Sequence, residues 1–195
     1  LEFSSSQRAV AVSDGANPIA RVVTDNLKTS PLLLIDEVLE KGRTDRAEIN
    51  VIALGIGPGS YTGIRSAIAV AQGWQLAKPV NLSPISSAEV LAATARTQGQ
   101  RGETHLIIDA QRHEHYHTTW NLTETEQIET KPLSIIGVVE AFELESFGPD
   151  QPGMRYCKPL HPCAVQLAKL AANRNSDVPG FIIEPIYLRQ PEFVK

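Results

Sequence analysis

Along the N-terminal half, short continuous apolar runs alternate with longer stretches whose apolar positions recur every three or four residues, which predicts strands interleaved with helices. Ala9 to Ser13 and Ile19 to Val23 are two such runs. The stretch between them, Asp14-Gly15-Ala16-Asn17-Pro18, is turn chemistry, so the pair predicts an antiparallel hairpin. Leu1 to Phe3 predicts the beginning of an adjacent strand. Ser30-Pro31 predicts a helix start, with serine capping free N–H groups and proline fitting the first helical position. The helix runs to near Gly42, a C-terminal breaker. On it Leu32, Ile35 and Leu39 form one stripe with Leu34 and Val38 on its flank, a wider apolar face than one side of a sheet requires. Two readings follow, a well-buried helix or a helix whose edge packs against a partner.

Val51 to Ile56 is apolar throughout, as inner parallel strands are. It leads into Gly57-Pro58-Gly59-Ser60-Tyr61-Thr62-Gly63 and then a long helix to Ala77, with Ile64, Ala67, Ile68 and Ala71 on one side. Its alanines permit close helix–helix approach. Lys78-Pro79 ends it, Val80 to Leu82 predicts a short strand, and Ser86 or Ser87 caps a helix to about Thr97. A polar joint at Gln98 to Glu103 places a lobe boundary there, giving lobes 1–98 and 99–195. Beyond it, His105 to Asp109 and His113 to Asn121 read as strands, Ile135 to Glu145 and Pro162 to Asn173 as helices, and Ile186 to Val194 as an extended tail. No internal repeat is evident.

The composition, 42% hydrophobic and 21% charged over 195 residues with mean hydropathy −0.13, is that of a folded water-soluble chain. No apolar run is long enough to span a bilayer, and the N-terminus does not read as a signal peptide, so a cytoplasmic location is expected. The sequence begins at Leu1 without a methionine, which predicts that a few native residues precede it. Cys157 and Cys163 make neither a disulfide framework nor a zinc site and read as thiols in a reducing compartment. The net charge of −4 argues against a chain that grips nucleic acid alone, because phosphate contacts demand a basic face.

Strand, glycine-rich turn and helix together can present backbone N–H groups to an anion. Here no Gly-Lys-Ser/Thr follows, and Thr62 stands where a dinucleotide fingerprint needs glycine, so on generic grounds a structural tight turn is the stronger reading. His113, His115 and His117 alternate and would share a strand face, either a metal-binding set or a solvent-facing polar surface, the second being favoured. No serine nucleophile elbow or metalloprotease helix occurs. Asp109 and Glu114 lie in a loop-to-strand region that could hold a catalytic pair, but carboxylates in such regions are usually capping or surface groups.

The segment from Val51 to Ala92, and Gly57 to Arg65 most of all, closely resembles the signature region of the TsaB (YeaZ) family, Gly-Pro-Gly-Ser-Phe/Tyr-Thr-Gly-Leu/Ile-Arg after an apolar strand. Glu2-Phe3-Ser4-Ser5-Ser6 resembles the family's opening Asp-Thr-Ser. Asp109 to Tyr116, including Arg112 and Glu114, resembles its Asp-Ala-Arg-Arg-x-Glu-Val-Tyr, and Pro185 to Arg189, with Tyr187, its closing Pro-x-Tyr-Leu-Arg. The resemblance implies an α/β, degenerate actin-like ATPase fold (ASKHA, ribonuclease-H-like) in two lobes, the second reduced. It implies a non-catalytic scaffold that dimerises with TsaD, is joined by the ATPase TsaE, and serves the transfer of threonylcarbamoyl to the adenosine beside the anticodon of tRNA. ATP and a metal are then expected on the partners and none on this chain alone. By position the dimerising helices would carry Leu32, Ile35, Leu39, Ile64, Ala67, Ile68 and Ala71.

Three departures bear on that picture. Glu2 replaces the aspartate of the first phosphate motif (Glu2, Ser4, Ser5), and Thr29-Ser30-Pro31 stands where many relatives have His-Ser-Glu. After Gly63 no two glycines lie within two residues of each other, so the second glycine-rich turn of an actin-like ATPase is missing and autonomous hydrolysis is not expected. The alternatives are a stand-alone homodimer using the same helices, or a divergent kinase or ATPase using the Gly57–Gly63 turn with Glu2 and Asp109 around a metal. Arg65 is expected to hold that turn by hydrogen bonds to carbonyls or to anchor an anionic ligand.

Overall fold

A computed structural model describes residues 1–151, 153–174 and 183–188. Alternating valine and alanine form β1 (Arg8–Asp14), which turns at Gly15 (φ +54°) into β2 (Asn17–Thr24), antiparallel with a bulge after Val12. Residues 1–3 complete the sheet. Glu2 and Ala9 exchange both backbone hydrogen bonds, while the Leu1 carbonyl accepts from Gly55 N–H at 2.9 Å. The segment thus lies antiparallel to β1 and parallel to β3 (Val51–Gly55), which pairs in parallel with β4 (Asn81–Ile85). The first sheet therefore runs β2, β1, residues 1–3, β3, β4.

The second sheet runs β7 (Gln127–Gly137), β6 (Glu114–Leu122), β5 (Gly102–Asp109), β8 (Ser146–Gly148), β9 (Cys157–Pro159). Its first three strands are antiparallel and the last two are parallel to β5. In chain order both sheets read third, second, first, fourth, fifth. This is the ribonuclease-H-like arrangement that the resemblance implies, present twice although the sequence shows no repeat.

Helices α1 (Pro31–Gly42) and α2 (Tyr61–Ala77) cover one face of the first sheet. Leu34, Ile35, Val38, Leu39 and Ala67 pack there on Phe3, Val10, Val12 and Val22, while Ile64, Ile68 and Ala71 pack on Ile52, Leu54 and Leu82. The last helix of each half crosses over. In α3 (Ser87–Thr97), Ala88, Leu91, Ala92 and Ala95 pack on Leu106, Ile108, Tyr116 and Trp120 of the second sheet. In α5 (Ala164–Ala172), Leu167 and Ala171 pack on Ile85 of the first sheet and on Val90. Among the described residues the outer face of the second sheet carries α4 alone (Val138–Glu143), whose Ala141 meets Ile107, Ile136 and Met154.

Two local expectations change, and a third holds. The helix expected over Ile135 to Glu145 is strand up to Gly137 and helix only over Val138–Glu143, because Ile135 and Ile136 pair with Tyr116 and His115 of the long β6. The first helix ends at Gly42 as expected, with Arg43 (φ 50°) as its left-handed cap, where Arg43 N–H reaches Glu40 O and Thr44 N–H reaches Leu39 O. Ser30 occupies the N-cap of α1, but its hydroxyl makes no capping bond.

Candidate functional site

The Gly57–Gly63 turn is built around the N-terminal segment. Gly57 (φ +97°) and Gly59 (φ +144°) adopt backbone conformations that favour glycine, and the Gly57–Pro58 peptide is cis. A Cβ on Gly59 would stand 2.1 Å from Ser4 O, and one on Gly63 1.9 Å from Phe3 O. Close approach of two backbones is therefore what these glycines permit. Three of the turn's N–H groups are engaged within the chain. Ser60 N–H donates to Ser4 O (2.7 Å), Gly57 N–H to Ser87 Oγ (3.2 Å) and Gly63 N–H to Ser60 Oγ (3.3 Å), the last being the N-cap of α2.

Beneath the turn lies Glu2, with no exposed surface. Its Oε1 accepts from Ser4 N–H (3.0 Å), and Ser87 Oγ–H lies 3.2 Å from both carboxylate oxygens. Burial raises its pKa, opposed by the hydrogen bonds from Ser4 and Ser87. Gly55 is glycine because a Cβ there would fall 2.0 Å from Glu2 Oε2. The sequence signal for Glu2 was its place in the first phosphate motif; nothing pointed to Ser87 as its partner. These residues do not fit a metal-bound nucleotide, since the Glu2 carboxylate is sealed inward and the turn is closed on Ser4. Asp109 does not join Glu2. It is exposed and accepts from Gln111 N–H (2.7 Å) and Gln111 Nε2 (2.6 Å), bracing the β5–β6 turn. Among the described residues no cluster of three His, Cys, Asp or Glu side chains could hold a metal.

Among the described residues Arg65 makes no hydrogen bond to the turn's carbonyls, the first of the two roles expected of it. Its guanidinium lies 4.4 Å over the Tyr61 ring, and Tyr61 stacks on Tyr187 at 5.5 Å between centroids. Burial raises the Tyr187 pKa, with Arg65 opposing it by charge and hydrogen bond. Residues 183–188 bring Tyr187 here, since Ile183 is buried in the α2 core and Ile186 N–H donates to Ile56 O at 2.8 Å. Arg189 lies outside the described residues. Thr62 is exposed at the head of α2.

The Ser4–Ser6 turn faces the other half. Ser5 Oγ lies 3.2 Å from His161 Nδ1, and Ser6 donates through both N–H (2.7 Å) and Oγ to the two oxygens of Asp150. His161 and Asp150 carried no sequence signal. Asp150 sits on the connection after β8 with φ 56°, a conformation that aspartate tolerates better than most residues.

The three histidines do not form a solvent-facing row. His113 is in a left-handed turn with Gln111 and Arg112 (φ 61°, 63° and 56°) and is exposed, because β6 starts only at Glu114. His115 and His117 share a face but are buried. His115 Nε2 lies 3.1 Å from Gln151 Oε1, and His117 Nε2 lies 3.2 Å from Nδ1 of His105. Burial, reinforced by His105, lowers the His117 pKa.

The seven residues expected at a dimer interface divide unequally. Ile35, Leu39, Ile64, Ala67, Ile68 and Ala71 are buried within the chain's own core, because the broad apolar face of α1 and the alanine face of α2 pack on the first sheet. Leu32 is 54% exposed, and the neighbouring Leu33, outside the expected stripe, is 62% exposed. A hollow of about 1290 Å³ lies among Val12, Leu39, Ile52, Asn81, Ala168 and Arg174. It opens at the starts of β3 and β4, the far end of the sheet from the glycine-rich turn.

Residues 5–140 match the family model described as TsaD, tRNA N6-adenosine threonylcarbamoyltransferase. Curated relatives include a "tRNA threonylcarbamoyladenosine biosynthesis protein TsaB" from Haemophilus influenzae (strain ATCC 51907 / DSM 11121 / KW20 / Rd), 33% identical over 44% of this chain and 36% of the relative. The protein of that name from Escherichia coli (strain K12) is 30% identical over 50% of this chain and 46% of its own length. The chain thus spans less than half the length of these relatives. A crystal structure of an uncharacterized protein with similarity to peptidase YeaZ, from Pseudomonas aeruginosa, superposes with a TM-score of 0.81 at 23% identity over 97% of each chain. YeaZ from Pseudomonas aeruginosa gives 0.80 at 23% identity over 96% of this chain and 97% of its own. Both show the same fold, the actin-like arrangement of two related sheets.

Proposed function

The chain belongs to the family of TsaD, tRNA N6-adenosine threonylcarbamoyltransferase, with relatives named TsaB, and on that premise we propose that it is a non-catalytic subunit of the machinery that places threonylcarbamoyl on tRNA, acting by pairing with TsaD. The observation that carries the reading is Glu2. A carboxylate without exposed surface, held by Ser4 and Ser87, presents no oxygen to solvent where a metal-bound water would be positioned. The glycine-rich turn above it is a brace between β3, α2 and residues 3–4, with its Gly57, Ser60 and Gly63 amides satisfied internally. Nucleotide, metal and tRNA then belong to the partners, TsaD and TsaE, in keeping with the net charge of −4. The place of action is the cytoplasm; among the described residues no helix is long and apolar enough to cross a membrane. Leu32 and Leu33 on α1 are the apolar side chains offered to TsaD, or to a second copy in its absence.

Light scattering on the purified chain, alone and with TsaD from the same genome, tests this. A species of one-to-one mass is the expected result. A homodimer that ignores TsaD would overturn the pairing and leave a stand-alone protein. Titration with ATP and magnesium should give no heat from this chain alone, and a saturable signal would return the turn to nucleotide binding.

A further inference from the structure

The connection after β8 makes polar contacts in two directions through adjacent residues. Asp150 reaches out of its own half, taking Ser6 N–H at 2.7 Å and the Ser6 hydroxyl, one on each carboxylate oxygen. Gln151 stays in its own half, its Oε1 3.1 Å from Nε2 of the buried His115. The backbone is shaped for this split, since Asp150 is left-handed (φ 56°), and Gly148, which closes β8, has no room for a Cβ 1.9 Å from Ile107 O. One side of the connection is therefore fixed by backbone packing and a buried imidazole, while the other ends in an exposed, charge-assisted pair.

We propose that residues 148–151 form a clasp that sets the spacing of the two halves at the Ser4–Ser6 turn and can be released there without unfolding either sheet. The exchanged helices α3 and α5 join the halves through apolar packing, which does not come apart in pieces. The Ser6–Asp150 pair is solvent-exposed and separable, and the second tie at the same turn, Ser5 to His161, is a single hydrogen bond. The low-stability end of the molecule is thereby localised to one turn. The inference rests on these contacts and does not depend on the pairing with TsaD.

Amide hydrogen exchange on the full chain tests it. Asp150→Ala should raise exchange at residues 4–7 by about tenfold or more while β1, β3 and β5 stay within about twofold of wild type. Asp150→Asn, which keeps one acceptor oxygen, should fall between. Adding Ser6→Ala to Asp150→Ala should change little further, because the two side chains share one contact. Gln151→Ala should loosen the same turn more weakly through the anchor at His115. The clasp is overturned if exchange at residues 4–7 is unchanged in Asp150→Ala. It is equally overturned if protection falls evenly through the first sheet, the mark of general destabilisation.

Discussion

The two halves run the same strand order and place a Gly-Pro step at or just past the end of the fourth strand, Gly57-Pro58 in one and Gly148-Pro149 in the other, yet they use it differently. In the first half the 17-residue α2 follows at once, and the turn is folded down on residues 3–4 so that the helix can lie against β3. In the second half no helix stands between β8 and β9 among the described residues, and the connection swings across to Ser6 instead. Besides the crossing helices α3 and α5, the first sheet is covered by α1 and α2, 12 and 17 residues long, and the second, among the described residues, by the six residues of α4. The difference shows that a shared sheet topology leaves the role of a turn open until the element after it is known.

The sharpest break of the comparison comes from the glycines that admit a neighbouring carbonyl. Gly63→Ala and Gly148→Ala each put a Cβ 1.9 Å from a backbone oxygen, Phe3 O and Ile107 O. Each should cost on the order of 4 kcal/mol in urea melts. If only Gly63→Ala were damaging, the second half would have slack that its packing does not suggest.

Next in size is Ala67→Glu, which buries a charge in the core under α2 and should unfold the chain, whereas Leu33→Glu on exposed α1 surface should leave the melt within about 0.5 kcal/mol and abolish only the mass shift with TsaD. A Leu33→Glu chain that still formed the mixed species would move the pairing surface elsewhere.

Glu2→Gln isolates a feature of the first half alone. Because burial raises the Glu2 pKa above its ordinary 4.5, the folded chain holds that proton more tightly than the unfolded one. Its contribution is fully present below pH 4.5 and is lost as pH rises through the folded value. Glu2→Gln should therefore melt higher than wild type at about pH 8 and lose that advantage at about pH 4. A variant less stable at every pH would mean that the charged form is the one the site favours.

The smallest effect is expected at Gly73, exposed inside α2 with open space around it, where Gly73→Ala should stabilise by roughly 0.5–1 kcal/mol. Equilibrium denaturation reads this directly, and a loss of stability would mean that α2 is not a regular helix there.

Much of the first half was legible because its elements are local. The hairpin needs only its turn, α1 and α2 carry apolar stripes with clear ends, and β3 is apolar throughout. The second half was harder to read because its pairing is long-range. Ile135 and Ile136 look helical until β6 claims them, and β8 and β9, three residues each, carry too little pattern to see. The duplication was invisible because the halves share strand order, not side chains. At the site, Glu2 and the glycines stood out by motif, whereas Ser87, Asp150 and His161 are distant in sequence and meet the turns only once the sheets form. The width of the α1 stripe left open burial or a partner at its edge, because periodicity cannot say which sheet or chain covers a face; Leu34, Ile35, Val38 and Leu39 are buried on the first sheet, while Leu32 is exposed.

The crossing of α3 and α5 has a consequence for how the chain is made. When residues 1–98 have left the ribosome, the first sheet is complete but the face that α5 will cover is bare, while α3 holds out Leu91 and Ala92 toward strands not yet synthesised. Neither half can finish before the other, so folding waits on contacts far apart in sequence. During that wait α5 of a second nascent copy offers the bare face the same side chains as its own, and at high concentration the molecule is open to exchange of that helix between chains.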